Sequence, residues 1–220
     1  MVIPSPVSSL RVQSSGRTDR LAVSWQHGDG SWSSYQVLLY DGSGSTLGAQ
    51  TLGAEHRSHM FSGLVAGRLY RAEVITHSGE LTNNVSAFGR TTPEPPIHLS
   101  VKQGPTNDTI ELSWSGPASG DYDSFGLQWT PPDRLSVTQT QVTSRVLGGM
   151  FPGRLYNFTV ATISGGGAPD RPTVRSQPIQ RNVRTSTWGG GGGGGDLSHF
   201  KGTFHSKEDR AAETGPLPSR

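Results

Sequence analysis

The chain has 220 residues, and its 19 Lys and Arg against 17 Asp and Glu leave a formal charge of +2, too balanced to point to nucleic acid or a membrane surface. It contains no cysteine, which excludes a disulfide framework, a thiolate metal site and a thiol nucleophile. Thirty glycines and fifteen prolines separate short clusters of aliphatic and aromatic residues, and no apolar run approaches the ~18 residues of a membrane span, so the texture is all-β and globular.

The first six residues, Met1-Val2-Ile3-Pro4-Ser5-Pro6, lack the basic and apolar regions of a signal peptide, so a secreted protein would carry this chain as a fragment. Leu21-Ala22-Val23-Ser24-Trp25 alternates apolar and polar residues, the pattern of a half-buried strand. After the turn residues Gly28-Asp29-Gly30, Tyr35-Gln36-Val37-Leu38-Leu39 forms a second such cluster. His56 and His59 are the tightest histidine pair. On a strand they would face opposite sides, and Glu55 adds no convergent geometry, so they read as a solvated loop and strand edge rather than a metal site. Ala66-Gly67-Arg68-Leu69-Tyr70 is a further block, and beyond it His77 and Ser78 sit beside Gly79 at a hairpin turn with no nucleophile elbow.

From residue 93 the chain repeats itself. Ile110-Glu111-Leu112-Ser113-Trp114 lies 89 positions after its counterpart, and Phe125-Gly126-Leu127-Gln128-Trp129 lies 90 positions after its own. Pro152-Gly153-Arg154-Leu155-Tyr156 follows at 86, Thr162, Ser164 and Gly165 match Thr76, Ser78 and Gly79 at 86, and Arg184-Thr185 matches Arg90-Thr91 at 94. Five blocks in one order specify two copies of one unit. Several short strands per copy, with no βαβ rhythm, suggest a sandwich. Thr92-Pro93-Glu94-Pro95-Pro96 marks the boundary, because proline cannot donate to a central ladder and favours an extended connector.

Within the second copy, Tyr156, Phe158 and Val160 share one strand face, which turns Asn157 and Thr159 outward. Three sequons are candidate glycosylation acceptors: Asn84 and Asn107, in or beside expected turns, and Asn157. Gly165-Gly166-Gly167-Ala168 loosens the last hairpin of the second copy. Arg68 and Arg154 stand at equivalent positions, which reads as scaffold: stems over apolar surface, heads on a backbone oxygen or carboxylate. Arg171, Arg175, Arg181 and Arg184 make the end of the second copy basic; a dispersed solvated face is favoured over a site for a polyanion such as heparan sulfate. Beyond Thr187, seven glycines and a mixed-charge stretch to Arg220 read as a flexible linker and disordered tail.

Over positions 4 to about 187 these residues resemble the fibronectin type III family. Trp25 and Trp114 take the place of its buried second-strand tryptophan, and Tyr70 and Tyr156 that of its tyrosine corner; all four are expected in structural cores. Gly67-Arg68-Leu69-Tyr70, Thr76-His77-Ser78-Gly79-Glu80-Leu81, Gly89-Arg90-Thr91 and Phe125-x-Leu127-x-Trp129 with Pro131-Pro132-Asp133-Arg134 resemble receptor-type tyrosine phosphatases of the vascular endothelial (beta) and osteotesticular kind. The resemblance implies two tandem immunoglobulin-like β-sandwiches, 1–92 and 93–187, followed by the tail 188–220. It further implies an extracellular binding or adhesion segment of a larger receptor at the plasma membrane, whose ligand is an extracellular or cell-surface protein, a second copy of the chain among the candidates. The cytoplasmic phosphatase of such a receptor uses a cysteine that this chain lacks, and no catalytic residue, cofactor or metal is expected. A purely structural spacer is the alternative.

Overall fold

In Arg20–Gln26 (β2) every second side chain, Leu21, Val23 and Trp25, is buried, as a strand with one face on a core requires. The same alternation recurs along Ser34–Tyr40 (β3) and Leu69–Ser78 (β6), where Tyr35, Val37, Leu39, Tyr70, Ala72 and Val74 point inward. A computed structural model describes residues 3–132 and 137–187. The linker and tail expected over 188–220 lie outside them, as do Asp133 and Arg134 of the proline motif.

The first repeat also contains Ser8–Gln13 (β1), Thr46–Gly53 (β4), Ser58–Ser62 (β5) and Leu81–Arg90 (β7). Its strands form two antiparallel sheets, ordered β1-β2-β5 and β4-β3-β6-β7. The second repeat follows the same order with Ile97–Gln103 (β8), Ile110–Ser115 (β9), Ser124–Thr130 (β10), Val137–Thr140 (β11), Ser144–Leu147 (β12) and Leu155–Ser164 (β13), then Val174–Arg175 (β14) and Ile179–Arg184 (β15). Its sheets run β12-β9-β8 and β11-β10-β13, with β14 and β15 both pairing β13. The described residues contain no helix, and so none long and apolar enough to cross a membrane.

Each pair of sheets encloses its own core. In the first, Trp25 meets Tyr35 edge-on with ring centroids 5.5 Å apart; in the second, Trp114 meets Phe125 in the same way at 5.8 Å. Edge-to-face contact suits the ring quadrupoles and fills the centre between the sheets.

The last hairpins differ. In the first repeat β6 and β7 pair over their whole length around the turn at Gly79-Glu80. In the second, Gly165, Gly166 and Gly167 all take positive φ, and β14 contributes only the pairs Ile163↔Arg175 and Ser164↔Val174 before the chain leaves the ladder and rejoins it as β15. Pro178, which has no N–H to donate, stands in the break between β14 and β15. A matched pair of bulges lies in the first strand of each repeat, where Ser9 (φ 52°) and His98 (φ 58°) are left-handed and the register slips. Neither residue type announces this in the sequence.

Candidate functional site

The two poles where the repeats end share one set of corner bonds. The Tyr70 hydroxyl accepts from the Val65 N–H at 2.9 Å, and the Tyr156 hydroxyl accepts from the Phe151 N–H at 2.9 Å. Beside each tyrosine a threonine closes the corner: Thr91 Oγ1 donates to the Val65 carbonyl and accepts from the Arg68 N–H, as Thr185 Oγ1 does with Phe151 and Arg154. Arg90 Nη1 donates to the Gly67 carbonyl at 3.1 Å and Arg184 Nη1 to the Gly153 carbonyl at 2.8 Å. Removing either hydroxyl, by Tyr70→Phe or Tyr156→Phe, orphans a partly buried N–H. We expect a loss of about 1 to 2 kcal/mol, read as a lower urea midpoint at unchanged slope.

The pole of the first repeat holds the second repeat. Arg68 grips Asp121 in a two-pronged pair, Nε to Oδ2 at 2.8 Å and Nη2 to Oδ1 at 3.2 Å. The Asp121 carboxylate raises the proton affinity of the Arg68 guanidinium above its ordinary value. Next to it the Asp121 N–H donates to the Ala66 carbonyl at 2.8 Å, and the Ser164 hydroxyl donates to the Gly67 carbonyl. Arg90 adds a fourth tie, Nε to the Pro172 carbonyl at 3.0 Å. Burial lowers its proton affinity, while Asp123 and Asp121 oppose that shift. The backbones meet at Gly67, where a Cβ would stand 1.8 Å from the Asp121 carbonyl oxygen. Arg171 closes the side of the joint over the ring of Phe88, 5.3 Å from its centroid.

The outer faces of the larger sheets differ between repeats. In the first, Leu38 and Ile75 are half-buried at the centre of the face without belonging to the core. Around them Arg71 lies over Tyr40 at 4.2 Å, the Tyr40 hydroxyl donates to Glu73 at 2.8 Å, and Asn84 Nδ2 donates to the other Glu73 oxygen. The Glu73 carboxylate raises the proton affinity of the Tyr40 hydroxyl. In the second repeat the strand register puts Gln128, Thr130, Asn157 and Thr159 at the positions of Leu38, Tyr40, Arg71 and Glu73. Those four side chains are polar and uncharged, and the Arg175 guanidinium lies beside them over Gly126.

Other residues singled out from sequence fall as follows. Trp25, Tyr70, Trp114 and Tyr156 are buried. Asn107 is exposed in the β8–β9 turn, but Asn84 lies within β7 and not in or beside the turn, because the turn closes in two residues and the ladder resumes at Leu81. Asn157 is half-buried on β13, with its side-chain oxygen shielded and unpaired. His56 contacts Glu55 at 2.9 Å, His59 packs edge-on against Phe61, and no three His, Asp or Glu side chains converge among the described residues. The basic residues disperse: Arg171 lies on Phe88, Arg175 against Gly126, Arg184 on the Gly153 carbonyl. Arg68 does meet a carboxylate, that of the neighbouring repeat, whereas Arg154 lies over Phe151 at 5.3 Å. Sequence reasoning missed Asp121 and Ser164 as joint residues; one sat among turn formers and the other in a hairpin, and nothing local marks a partner some 50 to 100 positions away.

The chain is 29% identical to the rat receptor-type tyrosine-protein phosphatase V over 98% of its length and 14% of that protein's. It is 25% identical to the human receptor-type tyrosine-protein phosphatase H over 82% of its length and 16% of the relative's. Mouse tenascin-N is 28% identical over 64% of the chain and 9% of its own length, so the chain spans under a fifth of each of these relatives. A two-domain fibronectin type III segment of chicken tenascin superposes with a TM-score of 0.52 at 21% identity, covering 81% of this chain and 99% of that one. The fibronectin type III domain family matches twice, over residues 5–88 and 93–178, each match enclosing one tryptophan core and one tyrosine corner, and the chain therefore belongs to that family.

Proposed function

We propose that the chain is a non-catalytic extracellular segment of a receptor-type tyrosine phosphatase whose first repeat binds a protein ligand. The observation that carries this reading is the contrast between the two outer faces. The inward residues of β3 and β10 keep their character, Tyr35, Val37 and Leu39 against Phe125, Leu127 and Trp129, while the outward ones change from Leu38 and Tyr40 to Gln128 and Thr130. Core positions answer to packing; a repeat-specific surface with an apolar centre and a charged rim has the composition of a recognition patch. As an extracellular chain it would present Asn84, Asn107 and Asn157 as glycan acceptors, and a glycan on Asn84 would stand at the rim of this face. Repeats 1–92 and 93–187 would act together as a stiff rod that carries the face.

The test displays the full chain multivalently, with and without enzymatic removal of glycans, on cells with intact or protease-stripped surfaces. Binding to intact cells should fall at least ~tenfold in the double variant Leu38→Asp, Ile75→Asp, a typical hot-spot loss, with Gln128→Asp unchanged. The melting temperature should hold, since neither residue belongs to the core. A wild-type chain that binds no cells would leave the spacer. Self-aggregation of coated beads would identify the ligand as a second copy, and loss on heparinase treatment alone would move the site to the arginines of the second repeat.

A further inference from the structure

A sheet edge exposes unpaired N–H and C=O groups, and folded proteins blunt such edges by shortness, charge, proline, a bulge or a covering segment. The edges of this protein are blunted with one exception. β1 and β8 have bulges at Ser9 and His98 and carry Arg11 and Lys102. β5, β11, β12 and β14 have five residues or fewer, and β15 carries Arg181 and Arg184. β7 is lined by the start of the chain: Asn83 Nδ2 donates to the Pro4 carbonyl at 3.2 Å, and a Cβ on Gly89 would stand 2.9 Å from the Val12 carbonyl oxygen. Among the described residues that leaves β4. Its eight residues, Thr46-Leu47-Gly48-Ala49-Gln50-Thr51-Leu52-Gly53, include no charge and no proline. The register slip near its start leaves Gly48 to Gly53 paired with β3 without a break, and no strand lies on its other side. Leu47, Ala49, Gln50 and Thr51 are all exposed.

We infer that β4 is the edge through which two copies of this chain pair, antiparallel and about a twofold axis, so that two four-stranded sheets become one. The inference stands apart from the ligand-binding reading, because main-chain groups of β4 make the contact. What points to a second copy rather than a foreign strand is symmetry. An isologous contact sets the same patch on both sides, so the strand must meet its own image without opposing like charges, and neutral β4 meets that condition. A twofold axis through the sheet returns outer side chains to the outer side. There β4 offers the small residues Ala49 and Thr51, which pair with Leu38 and Gln36 of β3. Assembly closes at two, because the far edge of the same sheet is β7, which the N-terminal segment lines. None of the three sequons falls on β4, so a glycan on any of them would leave the edge free. A strand-on-strand contact lies at the low end of interface sizes, below about 1,200 Å², so the pairing is weak in dilute solution and strengthens where copies share one surface.

The test is analytical ultracentrifugation of the full chain from ~10 µM to ~1 mM, the range of weak association, with 15N-resolved amide spectra over the same range. The mass of the wild type should rise towards that of two chains, with amide shifts concentrated in β4 and β3. Ala49→Lys with Thr51→Lys should weaken association at least ~tenfold by setting like charges across the axis, and so should Ala49→Glu with Thr51→Glu. An equimolar mixture of the two variants should associate again, as a mixed pair. Melting temperatures should hold, since both side chains are exposed. Gln128→Lys with Thr130→Lys adds the same charge to the second repeat and should change nothing. A wild type that stays monomeric throughout overturns the proposal. So does association that survives the lysine pair, moves amides away from β4, or is not restored by mixing. Leu38→Asp with Ile75→Asp should leave the pairing in place, so failure of the edge and failure of the outer face are read separately.

Discussion

Truncating Trp25 or Trp114 to Ala is expected to destabilise the protein by about 3 to 5 kcal/mol, the range for removing a buried indole and leaving its cavity. That is a large part of the 5 to 15 kcal/mol typical of a domain. Both indoles are nearly fully buried, at 3% and 4% exposure, and each packs edge-on against the ring of the third strand of its own repeat. The two cores share no residue, so the damage should stay local. Hydrogen exchange on Trp25→Ala should lose protection along β2, β3 and β6 while β9, β10 and β13 keep most of theirs, and Trp114→Ala should do the reverse. Equal loss across both repeats in either variant would mean that the repeats unfold as one unit and that two cores are one in energy.

The second large effect is expected at Gly67→Ala. A methyl group there meets the Asp121 carbonyl oxygen at 1.8 Å, and the backbone holds a φ of 70° that an L side chain adopts only with strain. Backbone rather than a flexible side chain stands in the way, so the second repeat must back off. The loss of the Asp121 N–H bond to Ala66 and of the Ser164 bond to Gly67 then follows, and with them the geometry of the Arg68 pair. The expected result is separation of motion: two correlation times in 15N relaxation where the wild type has one. Local strain of about 1 to 3 kcal/mol should also lower the stability of the first repeat. Gly153→Ala is the internal control. Among the described residues its Cβ would meet the Thr187 methyl at 3.1 Å and nothing of the other repeat, so it should show the backbone strain with the joint intact. A Gly67→Ala chain that still tumbles as one rod would show that the joint does not need this close approach. By comparison Arg68→Ala should be mild, because both partners of that pair are nearly half exposed and solvent screens them.

Much of the architecture was legible in the residues. Leu21, Val23 and Trp25 declare an inward face because a pleated strand sends alternate side chains to opposite sides, and their recurrence as Ile110, Leu112 and Trp114 declares the second copy of the same unit. Resemblance to the family's tyrosine corner places Tyr70 and Tyr156, and the alternation of the strand that follows each turn glycine supports it. The loosening of the last hairpin was legible too, in three successive glycines. Asn84 was misplaced by proximity to Gly79: turn-forming residues locate a turn only to within a few positions, and the ladder resumed sooner than the composition suggested. The bulges at Ser9 and His98 carried no signal, since left-handed φ at a serine or histidine is imposed by the partner strand.

Sequence by itself determined the fold class, the repeat, both cores and the absence of a cysteine nucleophile, because alternation, turn chemistry and composition are local properties of the chain. Only the tertiary structure decided that Arg68 meets Asp121, that Ser164 reaches Gly67, and that Leu38 and Ile75 stand together outside the core. The two joint contacts join residues 53 and 97 positions apart, and the β3–β6 register sets Leu38 diagonal to Ile75. No local rule connects such residues; two sandwiches must first fold and then meet at poles whose shape each core has already set.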